Sequence, residues 1–214
     1  MSVNLIKRIL SSIILIIILF FFLNSNKIIF FLVLSCIFFI ACHELKNIIL
    51  KTNLLIAGYL FLLFSFYCFF KFRFIDDNNS YLYFLLIICI GSDVGGYIIG
   101  KIFGGPKLTK ISPNKTYSGM LGAFIFSLIF STIYLSISKN IYFSFTIYNL
   151  EMYALILICS GISQLGDIFI SYLKRKSNVK DSGKLIPGHG GILDRIDGII
   201  FVFPFVYIFY QLYF

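Results

Sequence analysis

The stretch YLYFLLIICIGSDVGGYIIG, residues 81–100, decides the fold class, because Asp93 is its only charged residue. A hydrocarbon core about 30 Å thick is crossed by about 20 consecutive apolar residues in a helix. The stretch has that length, and Gly91 and Gly95, four residues apart, are the small residues that let two helix backbones approach closely. It therefore predicts a membrane-spanning helix that packs tightly against a neighbour.

The whole chain has the composition of a membrane protein. Of its 214 residues, 59% are hydrophobic and 13% are charged, against roughly 45–50% and about 25% in soluble domains. This excludes a soluble all-helical protein with a large core. We expect an all-α fold, a polytopic integral membrane helical bundle of about seven transmembrane helices. The predicted spans are 9–23, 28–42, 54–70, 81–100, 118–137, 152–171 and 198–213, of which the first two are short enough to be re-entrant or interfacial.

Basic residues predict the orientation, because cytoplasmic loops carry an excess of Lys and Arg. With seven spans, fourteen of the eighteen basic residues fall on one side, which predicts an N-in topology. Lys7 and Arg8 before an apolar run resemble a signal peptide, but no small-x-small cleavage site follows, so we interpret this run as a retained span. Residues 1–80 form the N-terminal spans, and residues 81–214 carry the two longest polar stretches, 101–117 and 172–197, on the cytoplasmic side.

Two acids lie inside predicted spans. A carboxylate at membrane depth costs several kcal/mol unless it is paired, protonated or metal-bound, so Asp93 and Asp167 suggest function; the alternative for each is a buried interhelical ion pair. Asp167 belongs to a polar stripe on an otherwise apolar helix, with spacings of three and four. The stripe consists of Ser160, Ser163, Gln164, Asp167, Ser171 and Lys174.

A second cluster of acids precedes the last span. If a helix begins near Ile192, Asp194 and Asp197 lie on one face of its first turn and need a positive charge between them. Oxygen ligands near phosphate suggest Mg²⁺; zinc is disfavoured, because His189 is the only nitrogen ligand nearby. The alternative is an N-cap acid with an ordinary surface pair.

The polar stretch 107–116 is basic. Pro113 breaks helix there, and hydroxyls, backbone donors and lysines converge in a segment that can cradle phosphate. It is not a Walker A loop, since Gly-x-x-x-x-Gly-Lys is absent. The alternative is a solvated basic loop.

Three motifs carry a family resemblance: residues 171–197, SYLKRKSNVKDSGKLIPGHGGILDRID; residues 92–97, SDVGGY; and residues 111–119, ISPNKTYSG. Together they resemble the phosphatidate cytidylyltransferase (CDP-diacylglycerol synthase) family. The first matches that family's signature without departure, and the other two resemble two further family segments. Tyr117 and Ser118 stand where the family has Trp and Glu, so a role for a glutamate at position 118 is not carried over.

The resemblance implies a Mg²⁺-dependent reaction in which CTP and phosphatidic acid give CDP-diacylglycerol and pyrophosphate. It implies a catalytic region within 81–214, in the cell (inner) membrane and facing the cytoplasm. The expected partners are CTP, phosphatidic acid and membrane lipid, with homodimerisation left open and no nucleic acid. The expected catalytic residues are Asp167, Asp194, Asp197, Asp181, Lys180, Arg195 and His189. The expected substrate-binding residues are Asp93, Ser112, Lys115, Ser171, Lys174 and Arg175, and the expected metal ligands are Asp167, Asp194 and Asp197.

His189 is expected to donate a hydrogen bond to phosphate and not to act as a general base. A phosphate monoester has its second pKa near 6, so the attacking phosphate is already ionised at neutral pH. Two other functions remain open. A CDP-alcohol phosphotransferase would require an Asp-Gly-x-x-Ala-Arg core, which is absent. A transporter using Asp93 and Asp167 as ion or proton sites would not require the dense polar stretch 172–197.

Overall fold

The computed structural model describes residues 17–49, 51–75, 79–109, 111–112, 115–138, 150–186 and 190–213. Within these ranges the regular structure is helical apart from two isolated β-bridges, Lys107–Thr116 and Ile186–Gly190. The predicted all-α fold is confirmed. His189, Pro113 and residues 9–16 of the first predicted span lie outside the described residues.

Seven described helices follow α1, which covers residues 17–23. They are α2 Lys27–Ile48, α3 Thr52–Phe72, α4 Ser80–Phe103, α5 Tyr117–Ile137, α6 Leu150–Lys176, α7 Leu193–Ile196 and α8 Ile199–Tyr213. In the described part of the chain, the five helices α2 to α6 are long and apolar enough to cross a membrane. The chain is therefore a multi-pass membrane protein, while the count of seven spans and the N-in orientation stay predictions.

Two helices extend beyond their predicted spans. Helix α2 continues past residue 42 to Ile48, and α6 continues past residue 171 to Lys176. Polar side chains lower local hydropathy and so end a predicted span, but they do not interrupt backbone hydrogen bonding. Helix α2 starts where the Asn26 side chain accepts a hydrogen bond from the Ile29 amide over 2.9 Å. After α6, Asn178 adopts a left-handed conformation with φ of 56°, which favours a stop.

The expectation of one helix beginning near Ile192 is wrong. Helix α7 ends at Ile196 and α8 begins at Ile199, so Asp194 lies in α7 and Asp197 lies in the break. The Asp197 side chain accepts a hydrogen bond from the Gly198 amide over 2.9 Å. The Gly198 carbonyl then accepts from the amides of the first turn of α8. The two carboxylates therefore do not share the first turn of one helix.

The chain forms two compact units, and the domain boundary expected after residue 80 stays a prediction. Unit 1 takes residues 1–70 and 173–196, so the polar segment after α6 belongs with the first helices. Its apolar contacts include an aromatic cluster. The buried ring of Phe30 stacks with Phe22 at 4.6 Å and with Phe69 at 6.1 Å between centroids.

Unit 2 takes residues 71–172 and 197–214. Helices α4 and α5 pack backbone to backbone, because a Cβ on Gly95 would overlap the Gly122 carbonyl oxygen. This confirms the close helix approach expected from the glycine spacing. Phe203 of α8 packs edge-on against Phe72, with ring centroids 5.6 Å apart.

Candidate active site

Lys115 and Asp167 form an ion pair within unit 2. Lys115 Nζ lies 2.6 Å from Asp167 Oδ2, and Ser171 Oγ donates a hydrogen bond to Asp167 Oδ1 over 3.3 Å. The two charged side chains remain 24% and 32% exposed. The pairing offsets the cost of a carboxylate on an apolar helix. The partial exposure leaves both charges accessible to a polar ligand.

The segment that carries Lys115 is folded back on itself. The Leu108 amide donates to the Lys115 carbonyl over 2.8 Å, and the Lys115 amide donates to the Ser112 carbonyl over 3.0 Å. The Ser112 amide in turn donates to Thr109 Oγ1 over 3.1 Å. Ser112 and Lys115 therefore share one turn, which the ion pair attaches to α6.

Ser118 helps to close this turn. Thr116 caps α5 by accepting a hydrogen bond from the Gly119 amide over 3.1 Å. Ser118 Oγ lies 2.9 Å from Thr116 Oγ1 and donates to the Gly104 carbonyl. Ser118, the serine that stands in place of the family's glutamate, thus links the residue after α4, Gly104, to the cap of α5, Thr116.

Asp197 is held against α6 by two glycines. A Cβ on Gly166 would lie 2.8 Å from the Asp197 carbonyl oxygen, and a Cβ on Gly198 would overlap Ser163 Oγ. Asp197 is only 9% exposed. The backbone at Asp197 therefore contacts α6 one residue before Asp167.

The part of the polar stripe that precedes Asp167 lies in unit 2. Ser160 Oγ of α6 donates to Ser92 Oγ of α4 over 3.2 Å. Gln164 Nε2 is buried and has no hydrogen-bond partner among the described residues. Leaving such a donor unsatisfied costs about 1–3 kcal/mol, which favours a bound polar group at this position. Asp93 lies next to the buried Ser92 but is exposed.

In unit 1, Asp194 is held on both of its oxygens. Lys174 Nζ donates to Oδ1 over 2.7 Å, and the Ser182 and Gly191 amides donate to Oδ2 over 2.8 and 3.0 Å. Burial alone would raise the pKa of Asp194. The hydrogen bonds from Lys174, Gly191 and Ser182 outweigh that effect and hold its pKa below the ordinary value.

Glu44 is a buried acid that the sequence motifs did not single out. It is 3% exposed and lies on α2, 138 residues from its first partner. Its Oε2 accepts from Ser182 Oγ over 2.7 Å and from the Leu193 amide over 2.8 Å, while Oε1 accepts from the Ile192 amide over 3.0 Å. The sequence feature that could have identified Glu44 is its position beside an apolar span, where an acidic residue suggests a function.

The remaining predicted residues of unit 1 have exposed side chains. They are Arg175, Lys180, Asp181 and Arg195. Arg175 Nη1 donates to the Val179 carbonyl over 3.2 Å. No group of three or more His, Cys, Asp or Glu side chains suited to a metal ion occurs in the part of the chain that the structure describes. The three-aspartate metal site therefore stays a prediction.

Comparison with known families places these contacts in context. The sequence model of the cytidylyltransferase family matches residues 48–213, which is more than half of the chain. The chain belongs to this cytidylyltransferase family. The resemblance predicted from the three sequence motifs is confirmed.

Curated relatives of this chain agree with the family assignment. A phosphatidate cytidylyltransferase of Bacillus subtilis is 38% identical over 144 residues, covering 66% of this chain and 52% of the relative. One from Rickettsia felis is 45% identical over 138 residues, covering 62% and 60%. One from Rickettsia conorii is 46% identical over 132 residues, covering 58% and 56%. The matched region thus spans between 52% and 60% of the length of these relatives.

The predicted site residues all lie inside the region that matches the cytidylyltransferase family. Glu44 lies four residues before residue 48, where that match begins. Its contacts nevertheless reach Ser182 and Leu193, which are inside the match. Glu44 therefore contacts the matched region although it lies outside the family match.

Proposed function

We propose that this chain transfers a cytidylyl group from CTP to phosphatidic acid, giving CDP-diacylglycerol and pyrophosphate. The observation that carries the proposal is the ion pair of Lys115 with Asp167, which joins a phosphate-cradling turn to the polar stripe of a membrane-spanning helix. A lipid phosphate and a nucleotide must meet where the membrane-spanning helices border the aqueous phase. The names of the curated relatives support the same chemistry.

The reaction needs no strong general base. A phosphatidate oxygen attacks the α-phosphorus of CTP, an oxygen–phosphorus bond forms, and the bond to the β-phosphate oxygen breaks to release pyrophosphate. The attacking phosphate is already largely dianionic at neutral pH. The protein must hold two polyanions in line and offset their repulsion, which fixed cationic side chains do in phosphoryl transfer generally.

Lys115 and Ser112 are assigned to the CTP phosphates. They share one turn, in which the Lys115 amide donates a hydrogen bond to the Ser112 carbonyl. Lys115 belongs to a partly exposed ion pair. Its ammonium group therefore carries no large desolvation cost that phosphate binding would relieve. The ion pair with Asp167 holds the Lys115 side chain toward α6 before nucleotide arrives.

Mg²⁺ is proposed as the cofactor. The donor set fits, because Mg²⁺ is bound by one or two carboxylates together with substrate phosphates. In unit 2, Asp167 is partly exposed and the Asp197 backbone lies against the same helix. When bound, the ion supplies charge neutralisation at the phosphates. Asp194 also remains a proposed ligand, although its oxygens already accept three hydrogen bonds.

The proposed site faces the cytoplasm from the inner membrane. CTP is a cytoplasmic nucleotide, and the basic residues of the stretches 101–117 and 172–197 follow the positive-inside rule. The diacyl substrate requires sideways access from lipid. These arguments support the orientation with the amino terminus inside.

The proposal is tested with the purified full-length chain in mixed micelles. We expect CDP-diacylglycerol and pyrophosphate to appear in equal amounts when CTP, Mg²⁺ and phosphatidate are present. Diacylglycerol, which lacks the attacking phosphate, should release no pyrophosphate. Absence of both products, with ion flux in proteoliposomes that depends on Asp167, would favour a transporter.

A further inference from the structure

The side chain of Glu44 on α2 contacts both ends of the polar segment 182–193 in unit 1. Glu44 lies near the polar carboxyl-terminal end of helix α2, and its carboxylate is buried. Burying a carboxylate is costly unless hydrogen bonds replace the lost water. Ser182 Oγ and the amides of Ile192 and Leu193 supply three such bonds between 2.7 and 3.0 Å.

Two described glycines of the segment 182–193, Gly183 and Gly191, lie against this carboxylate. A Cβ on Gly183 would lie 2.5 Å from Glu44 Oε1, and a Cβ on Gly191 would overlap both Glu44 Oε2 and Ser182 Oγ. The backbone therefore wraps around Glu44 at two separate points. Glycine is required at these positions by the close approach of the acid.

Ser182 connects Glu44 with Asp194. Its hydroxyl donates to Glu44 Oε2 while its amide donates to Asp194 Oδ2. Glu44 holds the amides of Ile192 and Leu193, and Asp194 holds that of Gly191. Two carboxylates thus fix both ends of the segment through a shared serine.

We propose that Glu44 is a positioning residue for this enzyme, fixing the segment 182–193 so that Asp194 is correctly placed. This rests on the proposed function only in assigning Asp194 to catalysis. Glu44 reaches no substrate itself. A loosened segment should slow the transfer step, whereas CTP affinity, which is assigned to Ser112 and Lys115 of unit 2, should change little.

The test compares Glu44→Gln with a matched control, Ser177→Ala. Glutamine keeps one acceptor oxygen but turns an amide group toward backbone donors. Ser177 Oγ donates to the Ile48 carbonyl, so the control removes another contact between α2 and the polar segment without touching 182–193. Both variants are compared with wild type by thermal unfolding, hydrogen exchange and steady-state kinetics.

For Glu44→Gln we expect amides of 182–193 to exchange about tenfold faster, which corresponds to about 1.4 kcal/mol. We expect kcat to fall about tenfold or more. We expect KM for CTP to change by less than about threefold. Ser177→Ala should lower the unfolding temperature without either effect. Unchanged exchange in Glu44→Gln, or equal kinetic losses in both variants, would overturn the proposal.

Hydrogen exchange separates this proposal from the proposed function. If the wild type has no transferase activity, faster exchange in Glu44→Gln still supports the positioning role of the carboxylate on the segment. If Glu44→Gln does not fold, Ser182→Ala decides the question, because it removes one donor to the same acid. That variant should loosen 182–193 and lower kcat about threefold or more; behaviour identical to Ser177→Ala would refute the proposal.

Discussion

Lys115 Nζ lies 2.6 Å from Asp167 Oδ2, so a turn outside the apolar spans is fastened to the polar face of α6. In the proposed function, this lysine serves two anions in turn. It pairs with the carboxylate before nucleotide binds, and we propose that it offers the same ammonium group to phosphate afterwards. The pair is partly exposed, so its own contribution to stability is small, about 0–1 kcal/mol.

Replacement of Lys115 by alanine should weaken CTP binding more than phosphatidate binding. We expect KM for CTP to rise about tenfold or more, as for loss of a charge-assisted contact of 1.5–3 kcal/mol. Lys107→Ala is the matched control, since its side chain is an exposed lysine on the same stretch. Equal KM values for CTP in the two variants would mean that 107–116 is only a solvated basic loop.

Replacement of Asp194 by asparagine should lower turnover about 100-fold, on the order of the loss of a principal electrostatic group. Asparagine keeps the shape but loses the charge that holds Lys174 and two backbone amides. Turnover is measured at saturating Mg²⁺, with the exposed Glu151→Gln as the control for an acid-to-amide change. Activity near that of wild type would remove Asp194 from the site.

The lowered pKa of Asp194 also predicts how its contribution to stability depends on pH. Because its pKa is lower in the folded state than the unfolded value of about 4, the carboxylate stabilises the fold above that pH. The contribution declines as pH falls through the folded-state pKa. The difference in unfolding temperature between wild type and Asp194→Asn should therefore be constant from pH 5 to 7 and shrink below about pH 4. A difference that grows on acidification would contradict the assigned shift.

Two glycines of α6 give a test of the packing that places Asp197. Gly166→Ala would bring a Cβ to 2.8 Å from the Asp197 carbonyl and into the Phe201 ring, which should destabilise the fold by about 1–3 kcal/mol. In Gly161→Ala the nearest atoms, in the Phe124 ring, lie 3.8 Å away. That control should be neutral or stabilising by up to about 1 kcal/mol. Similar unfolding temperatures for the two variants would refute the close packing.

The sequence predicted the membrane helices well because hydropathy and helix length are local properties. The span expected at 81–100 lies in Ser80–Phe103, and that expected at 118–137 lies in Tyr117–Ile137. The α4–α5 contact was predictable too, since Gly91 and Gly95 are spaced for it. Family motifs then supplied the functional assignment that hydropathy alone does not contain.

Glu44 shows where this approach fails. The predicted span ended at residue 42, before the polar His43 and Glu44, so the acid was not treated as buried. Its partners lie 138 to 149 residues away, and no local pattern encodes a contact of that separation. The break between α7 and α8 was missed for a similar reason, because it depends on Gly198 fitting against Ser163 of α6.

The central claim is transfer of a cytidylyl group to a lipid phosphate, and the most direct measurement follows the individual phosphorus atoms of CTP. The purified chain is incubated with phosphatidate, Mg²⁺ and CTP labelled at either the α- or the γ-phosphate. The account predicts that the α label enters the organic-extractable lipid while the γ label is recovered only in pyrophosphate. Transfer of the γ label to lipid, or no lipid labelling from either position, would contradict it.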